Sequence, residues 1–363
     1  MRIVCYVSSL SGGGAERVMS VLANGLSDRG HDVILVTEYS TPNEYALLPG
    51  VKRRLLSNAG KPLETRGVLN VIKRTLRLRK LCHASGADIL VSFIWRTNAK
   101  AILATRFLKT KNLVSVRNDP RVAYGGKVGA ALAKFLYSMA DGCVFQTKEA
   151  RAWFPANIQE KSRIILNPIS DAFYDILPVP MQEKRIVTCG RLAKQKRFDL
   201  LIDAFHKVCD EFPEYKLEIY GVGALQETLQ AQIDKLGRQD RICLMGRSHD
   251  VPNTIKTASL FVLSSDYEGL PNALMEAMVL GLPVISTDCS GGGARALIDD
   301  GVDGLIVPCG DVDALAAAVR KSLSDLDAAK QRGEKAAEKA KSFSTENIVA
   351  QWEAYIAEIV NKK

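Results

Sequence analysis

In the stretch SDYEGLPNALMEAMVLGLPVIST, Glu268 and Glu276 stand eight positions apart, with a Gly-Leu-Pro-Asn turn between them. Pro271 suits the first turn of a helix and Gly281 the position past its end, so the pattern predicts a helix over about 271–280. The start of such a helix, with Gly269 and Leu270 just before it, offers unpaired N–H groups to an anion. Glu268 lies outside that end, and Glu276 more than one turn inside it on the face of Asn272. Carboxylates repel phosphate but accept hydrogen bonds from hydroxyls. Phosphate on the amides with sugar hydroxyls on the flanking acids describes a nucleotide-sugar. Taken singly, Glu268 reads equally as a helix-dipole acid and Glu276 as a solvated helix face.

Two cations shift that balance. In CGRLAKQKRFDLLIDAF, Arg191 directly follows a strand-like run and Lys196 comes five residues later, ahead of an amphipathic helix. Fixed cations at a strand's carboxyl end can hold a diphosphate and stabilise the charge it gains on leaving. Such preorganised stabilisation contributes roughly 3–4 kcal/mol per group in favourable cases. The alternative is ordinary surface basicity, which applies to Arg197. A third element is the glycine turn SGGGAER, in which Gly12, Gly13 and Gly14 open a helix. It matches neither a dinucleotide fingerprint nor a phosphate-binding lysine loop, and alone it also suits a tight strand-to-helix turn. GVGALQ at 221–226 is a partial dinucleotide fingerprint without its third glycine. About 20 residues on, where a ribose-binding acid belongs, stands Arg241.

These residues sit in a chain whose strand-like and helix-like segments alternate from the first residue. RIVCYVSSL, HDVILVTEY, ADILVSFI, NLVSVRN and GCVFQT read as buried strands with helical crossovers, which predicts a parallel, doubly wound α/β sheet. The alternation pauses at NPISDAFYDILPVPMQEKR, a predicted linker over 168–184. It restarts with RIVTCGRL, KLEIYGVG, RICLMGR, ASLFVLSS, LPVISTD and GLIVP. The expected organisation is an N-terminal domain over 1–167, a second domain over 185–342 and a terminal helix over 343–363, with Ser344 at its start. Two such sheets bind ligands at the carboxyl ends of their strands.

The 363 residues suit two domains, and 47% hydrophobic with 25% charged describes a globular protein. No apolar run is long enough to span a bilayer, and the N-terminus lacks the pattern of a secretory signal. The eight cysteines are scattered with no C-x-x-C pair and read as reduced core residues, which predicts the cytosol. The net charge of +9 hides an asymmetry. Residues 1–167 hold 26 Lys and Arg against 11 Asp and Glu, so the first half is expected to meet an anionic partner.

GGGAER, GRLAKQK, GVGALQETL, DYEGLPNALMEAMVLGLPVIST and GGGARALIDDGVDGLIVP occur in an order and spacing that resemble the family 4 glycosyltransferases of GT-B fold, across nearly the whole chain. The second half matches most specifically. The resemblance implies two facing domains, a C-terminal helix returning toward the first, and sugar transfer from a nucleotide-sugar with retention of configuration and no metal. It implies that Arg191 and Lys196 bind the diphosphate and that Glu268 meets the donor sugar. Gly269 and Leu270 would hold phosphate through their amides, Glu276 would hold the ribose with Asn272 beside it, and Gly13 and Gly14 would close over the phosphates. No side-chain nucleophile is expected, since in this family the leaving phosphate takes the acceptor proton. Many members carry a histidine after a first-domain strand. Here that region reads LVSVRNDP, and none of His31, His83, His206 and His249 lies there. Glu16, Arg117 and Asn118 are the acceptor-side candidates in its place. The D-x-D spacings at 311–313 and 325–327 read as solvated acids in or beside helices, not metal ligands.

One more stretch, TRGVLNVIKRTLRLRKLCHASGADILVSF over 65–93, predicts a helix. Arg66, Lys73, Arg77 and Lys80 fall on a narrow stripe with Arg74 beside it, and Val68, Leu69, Val71, Ile72, Leu76 and Leu78 fill the opposite arc. A solvated face is one interpretation. The other is docking to an anionic leaflet or a lipid diphosphate, each cation contributing on the order of 1 kcal/mol near the surface. Nucleic acid fits poorly, for want of interleaved aromatics. The helix is similar to one in transferases that extend undecaprenyl-diphosphate-linked oligosaccharides with N-acetylgalactosamine. The expectation is therefore a transferase of UDP-linked hexose or N-acetylhexosamine, peripheral on the inner face of the cell membrane, acting on a glycan or polyprenyl-diphosphate-linked acceptor. Its rivals are a non-catalytic sugar-nucleotide-binding subunit and a nicotinamide-dependent oxidoreductase.

Overall fold

The structure, a computed structural model, describes residues 1–11, 13–57, 67–176 and 183–362. It divides into two compact units, one of Met1–Pro168 with Thr345–Lys363 and one of Ile169–Ser344.

The first unit is a parallel seven-stranded sheet of β1 (Arg2–Val7), β2 (Asp32–Thr37), β3 (Lys52–Leu55), β4 (Ile89–Phe93), β5 (Lys111–Ser115), β6 (Gly142–Phe145) and β7 (Ser162–Ile164), in the order β3-β2-β1-β4-β5-β6-β7. The five strands expected from sequence are present. β3 and β7 add to them at the two edges, where KRRL and SRI carry the charge that suits an edge and conceals a strand from an apolar pattern. Alternate residues of β1 face opposite layers. Ile3, Cys5 and Val7 pack with the helices Gly14–Asp28 and Thr345–Asn361, while Val4 and Tyr6 pack with Leu78 and Cys82 of the helix Val68–Ser85. The terminal helix is integral to this unit. Trp352 is fully buried against Phe93, with ring centroids 5.4 Å apart. On the other face the helices Val68–Ser85, Trp95–Thr105 and Gly126–Ser138 lie side by side.

The second unit repeats the plan with β8 (Glu183–Cys189), β9 (Lys216–Tyr220), β10 (Ile242–Gly246), β11 (Ala258–Leu263), β12 (Val284–Thr287) and β13 (Leu305–Val307), all parallel in the order β10-β9-β8-β11-β12-β13. Each sheet therefore reverses its strand order once, between β1 and β4 and between β8 and β11. Ligands of doubly wound sheets bind outside the strand ends at such reversals.

The predicted linker is folded as far as residue 176. Ile169 is fully buried and its N–H donates to Phe343 O at 2.9 Å, while the Tyr174 hydroxyl reaches Ala340 O at the same distance. Pro178 and Pro180 lie outside the described residues, as do Gly12 and Arg66.

The basic helix needs a larger correction. Its core-facing residues are Arg74, Leu78 and Cys82, and the arc of Val68, Leu69, Val71, Ile72 and Leu76 faces outward. Arg74, expected at the membrane, is buried instead. Its Nη1 donates to Glu38 Oε2 at 2.7 Å, and the other oxygen of Glu38 accepts from the Tyr6 hydroxyl at 2.6 Å and pairs with Lys100. A buried carboxylate just past β2 is thus paired with Arg74 on the inward side of the helix. Lys73, Arg77 and Lys80 remain exposed, with Arg77 Nη1 on Leu56 O at 2.6 Å.

Candidate functional site

At the β8–β11 reversal two loops are bound to each other before any ligand arrives. The 190–197 loop leaves β8, and Lys194–Lys196 forms a 3-10 turn ending at Arg197, whose φ is +47°. The 264–270 loop leaves β11. Asp266 N–H donates to Gln195 O at 2.9 Å, Gln195 Nε2 to Tyr267 O at 2.8 Å, and Ser264 Oγ to Lys196 O at 2.7 Å. Arg197 Nη1 adds an ion pair to Asp266 at 3.1 Å.

This lattice holds Lys196 Nζ 2.7 Å from Glu268 Oε1, and Ser265 Oγ donates to the same oxygen at 2.8 Å. Glu268 is buried, so it is a positioned acid and not a solvated helix-dipole charge. The predicted helix runs Asn272–Val279 with Pro271 before it and Gly281 at φ +72° after it. Glu276 lies on its inner side, 5% exposed, which rules out the solvated-face alternative. Its charge reaches the end of β8. Burial pushes the Cys189 thiol up to about 12, Glu276 adds to that rise, and Lys196 opposes it. Cys289 behaves alike, with burial first and Glu268 second raising it to about 12 and Lys196 countering. Lys196 thus acts on both thiols, together with Glu276 at the end of β8 and with Glu268 at Cys289 past β12. Arg191 is exposed just past β8, and among the described residues no hydrogen bond or ion pair engages its guanidinium. Gly269 and Leu270 lie between Glu268 and the helix. A Cβ on Gly293 would stand 2.5 Å from Gly269 O, so Gly293 packs directly against that loop.

The chemistry available is clear from this geometry. Lys196 is paired to the buried carboxylate Glu268, a second carboxylate, Glu276, is buried on the helix that follows, and Arg191 is exposed just past β8. Ser265 and Gln195, which tie the site together, carried no sequence signal beyond their place after a strand.

GVGALQ has a different role. Gly221, at φ +150°, brings its Cα against the 190 loop. A Cβ there would lie 1.8 Å from Gly190 O, while Leu192 and Val222 pair through their backbones at 3.1 Å. Arg241, where a ribose acid was sought, donates to Tyr215 O and Phe212 O. The glycines serve loop packing, not a dinucleotide. Gly221→Ala is accordingly expected to destabilise the second unit by roughly 1–3 kcal/mol, since both strain and clash fall on backbone. Thermal unfolding measures this, and an unchanged midpoint would contradict it.

In the first unit, Gly13 caps the helix Gly14–Asp28, with the Glu16 carboxylate folded back toward it. Arg117 leaves β5 with its guanidinium over the Phe93 ring, 4.4 Å from the centroid, and donates to Asn167 Oδ1. Desolvation pushes its pKa down to about 9. Asn118 is exposed, its Oδ1 accepting Asp119 N–H at 2.9 Å. The first acid of each D-x-D spacing is a helix cap, Asp311 accepting from Ala314 N at 2.8 Å and Asp325 from Ala328 N at 3.0 Å, while Asp313 and Asp327 lie in the first turns. Among the described residues no cluster of three or more His, Cys, Asp or Glu is placed to hold a metal.

Comparison with known proteins places the whole chain in a family. A Campylobacter jejuni protein named GalNAc-alpha-(1->4)-GalNAc-alpha-(1->3)-diNAcBac-PP-undecaprenol alpha-1,4-N-acetyl-D-galactosaminyltransferase is 28% identical over 99% of this chain and 99% of its own. A second from that organism, an N-acetylgalactosamine-N,N'-diacetylbacillosaminyl-diphospho-undecaprenol 4-alpha-N-acetylgalactosaminyltransferase, is 28% identical over 94% of this chain and 96% of its own. The fold matches Anabaena HepE, solved with UDP and glucose, at a TM-score of 0.82 over 99% of this chain and 100% of that one, with 18% identity. The model described as Glycosyl transferase 4-like domain matches residues 13–169, and the one described as Glycosyl transferases group 1 matches 171–339. Matched in both halves, the chain belongs to the group 1, family 4-like glycosyltransferases and is a two-sheet, GT-B hexosyltransferase.

Proposed function

We propose that this enzyme moves a hexose or N-acetylhexosamine from a UDP-sugar to a polyprenyl-diphosphate-linked glycan, with retention of configuration, without a metal ion, and while bound at the cytoplasmic face of the cell membrane. The observation that carries this is the Lys196–Glu268 pair beside buried Glu276 at the end of β8, with Arg191 exposed next to it. The names of the Campylobacter relatives support the lipid-linked acceptor, and HepE's bound UDP supports the nucleotide.

Arg191 and Lys196 take the diphosphate, with Gly269 and Leu270 offering amides and Asn272 beside them. Glu276 accepts from the ribose hydroxyls and Glu268 from those of the sugar. The bond from the anomeric carbon to the β-phosphate oxygen breaks, and a new bond to the acceptor hydroxyl forms on the same face. The acceptor proton passes to the departing phosphate, so UDP leaves with the charge that the two cations stabilise. Gly13 and Gly14 are the further donor contacts of this scheme, and Glu16, Arg117 and Asn118 its acceptor side.

Glu276→Ala is expected to weaken UDP binding by about tenfold, the cost of losing charge-assisted hydrogen bonds of about 1.4 kcal/mol in all. Isothermal titration with UDP tests this, and equal affinity in the two proteins would remove the ribose assignment.

A further inference from the structure

We propose that the outer face of the Val68, Trp95 and Gly126 helices is an apolar membrane-insertion surface ringed by cations, seated on anionic phospholipid. This rests on the peripheral-membrane part of the proposed function and goes beyond it, since it assigns the contact to buried hydrocarbon as well as to charge.

These three helices form one layer on the sheet, so what each leaves exposed faces away from the core in the same direction. What they leave exposed is apolar side chains interspersed with cations, among them Lys73, Lys80, Arg96 and Lys127. On the Gly126 helix, Val128, Ala131, Leu132 and Phe135 recur at the spacing of a single helical face, and Val128 is 85% and Phe135 63% exposed. The inner side of that helix, with Ala133, Leu136 and Tyr137, already fills the core. An amphipathic helix of a water-facing surface would place polar residues on the other side. This one carries apolar residues on both. Phe107, which ends the Trp95 helix layer, is 89% exposed at φ +63°, with the Arg106 guanidinium 5.0 Å from its ring. Val68, Leu69, Ile72 and Leu76 continue the surface, on the outward arc of a helix whose inward side holds Arg74.

Charge identifies the occupant. Residues 67–140 carry 14 Lys and Arg against two acids, Asp88 and Asp119, and none of the three helices holds an Asp or Glu. A second copy of this face would oppose like charges, and an apolar protein partner needs no such cations. An anionic leaflet satisfies both features, taking Phe and Leu side chains at its acyl boundary and Lys73, Lys80 and Lys127 at its headgroups.

The test uses the full chain and vesicles without any acceptor lipid. Wild type should co-sediment with vesicles of phosphatidylglycerol and phosphatidylcholine and retain part of that binding in high salt. Phe107→Ser combined with Phe135→Ser should lower the partition by at least about tenfold while leaving circular dichroism and UDP affinity unchanged. Phe135→Trp should show a blue shift on vesicle addition and quenching by brominated acyl chains. If wild type binds but the serine variants bind equally and Phe135→Trp is not quenched, the contact is charge alone and the insertion surface is overturned, with the peripheral reading intact. If wild type binds no vesicle, both fail. A dimer dissolved by the serine changes would assign the face to a second copy and overturn the inference.

Discussion

Lys196→Ala is expected to lower turnover roughly 10²–10³-fold, the range found when one preorganised charge-stabilising donor is removed. The loss should appear in kcat more than in KM, because the diphosphate's charge grows as the sugar–phosphate bond breaks and an ammonium 2.7 Å from a fixed carboxylate is already oriented for it. The variant also leaves Glu268 buried with Ser265 as its remaining side-chain donor, so a modest fall in stability should accompany the loss. Steady-state kinetics and thermal unfolding separate the two effects. A variant that retains wild-type kcat would remove Lys196 from the reaction.

Glu38→Ala should be the most destabilising single change in the first unit, by about 3–5 kcal/mol, because it leaves two buried cations without their anion. Arg74 and Lys100 both converge on Glu38, each 5% exposed, and desolvation already lowers the Lys100 pKa despite that pair. The Tyr6 hydroxyl would lose its acceptor as well. By contrast Glu358→Gln, which breaks an exposed pair with Arg163, should leave the midpoint nearly unchanged. Replacing Glu38, Arg74 and Lys100 together by Met should recover much of the loss, since an apolar cluster of similar volume has no charges to desolvate. Thermal unfolding of the three proteins checks this. A Glu38→Ala midpoint equal to that of wild type would show that the cluster does not hold the helical layer.

Much of the second unit's local structure was legible because its signals are local. Pro271 and Gly281 punctuate the helix around Glu276, and strand ends announce Arg191 and Glu268. Local chemistry therefore gave positions within a residue or two of the Asn272–Val279 helix. What sequence could not give was burial. Glu276 reads as a solvated acid in the sequence and is buried in the fold. The Val68 helix shows the same limit from the other side. Its wheel has cations and apolar residues on several arcs, and the choice of inward face depends on Glu38, thirty-six positions from Arg74. The apolar outer face of the Gly126 helix was equally hidden, since a GKVGAALAKFLYS pattern looks like an ordinary buried crossover. Asp311 and Asp325 are N-caps, an assignment their D-x-D spacing obscured.

The most direct test is release of UDP from a panel of UDP-sugars, with a membrane extract as the source of lipid-linked acceptor and Arg191→Ala as control. The account predicts release from one donor, dependent on the extract and lost in the variant. Silence across every donor despite tight UDP binding, or release that Arg191→Ala leaves unchanged, would contradict it.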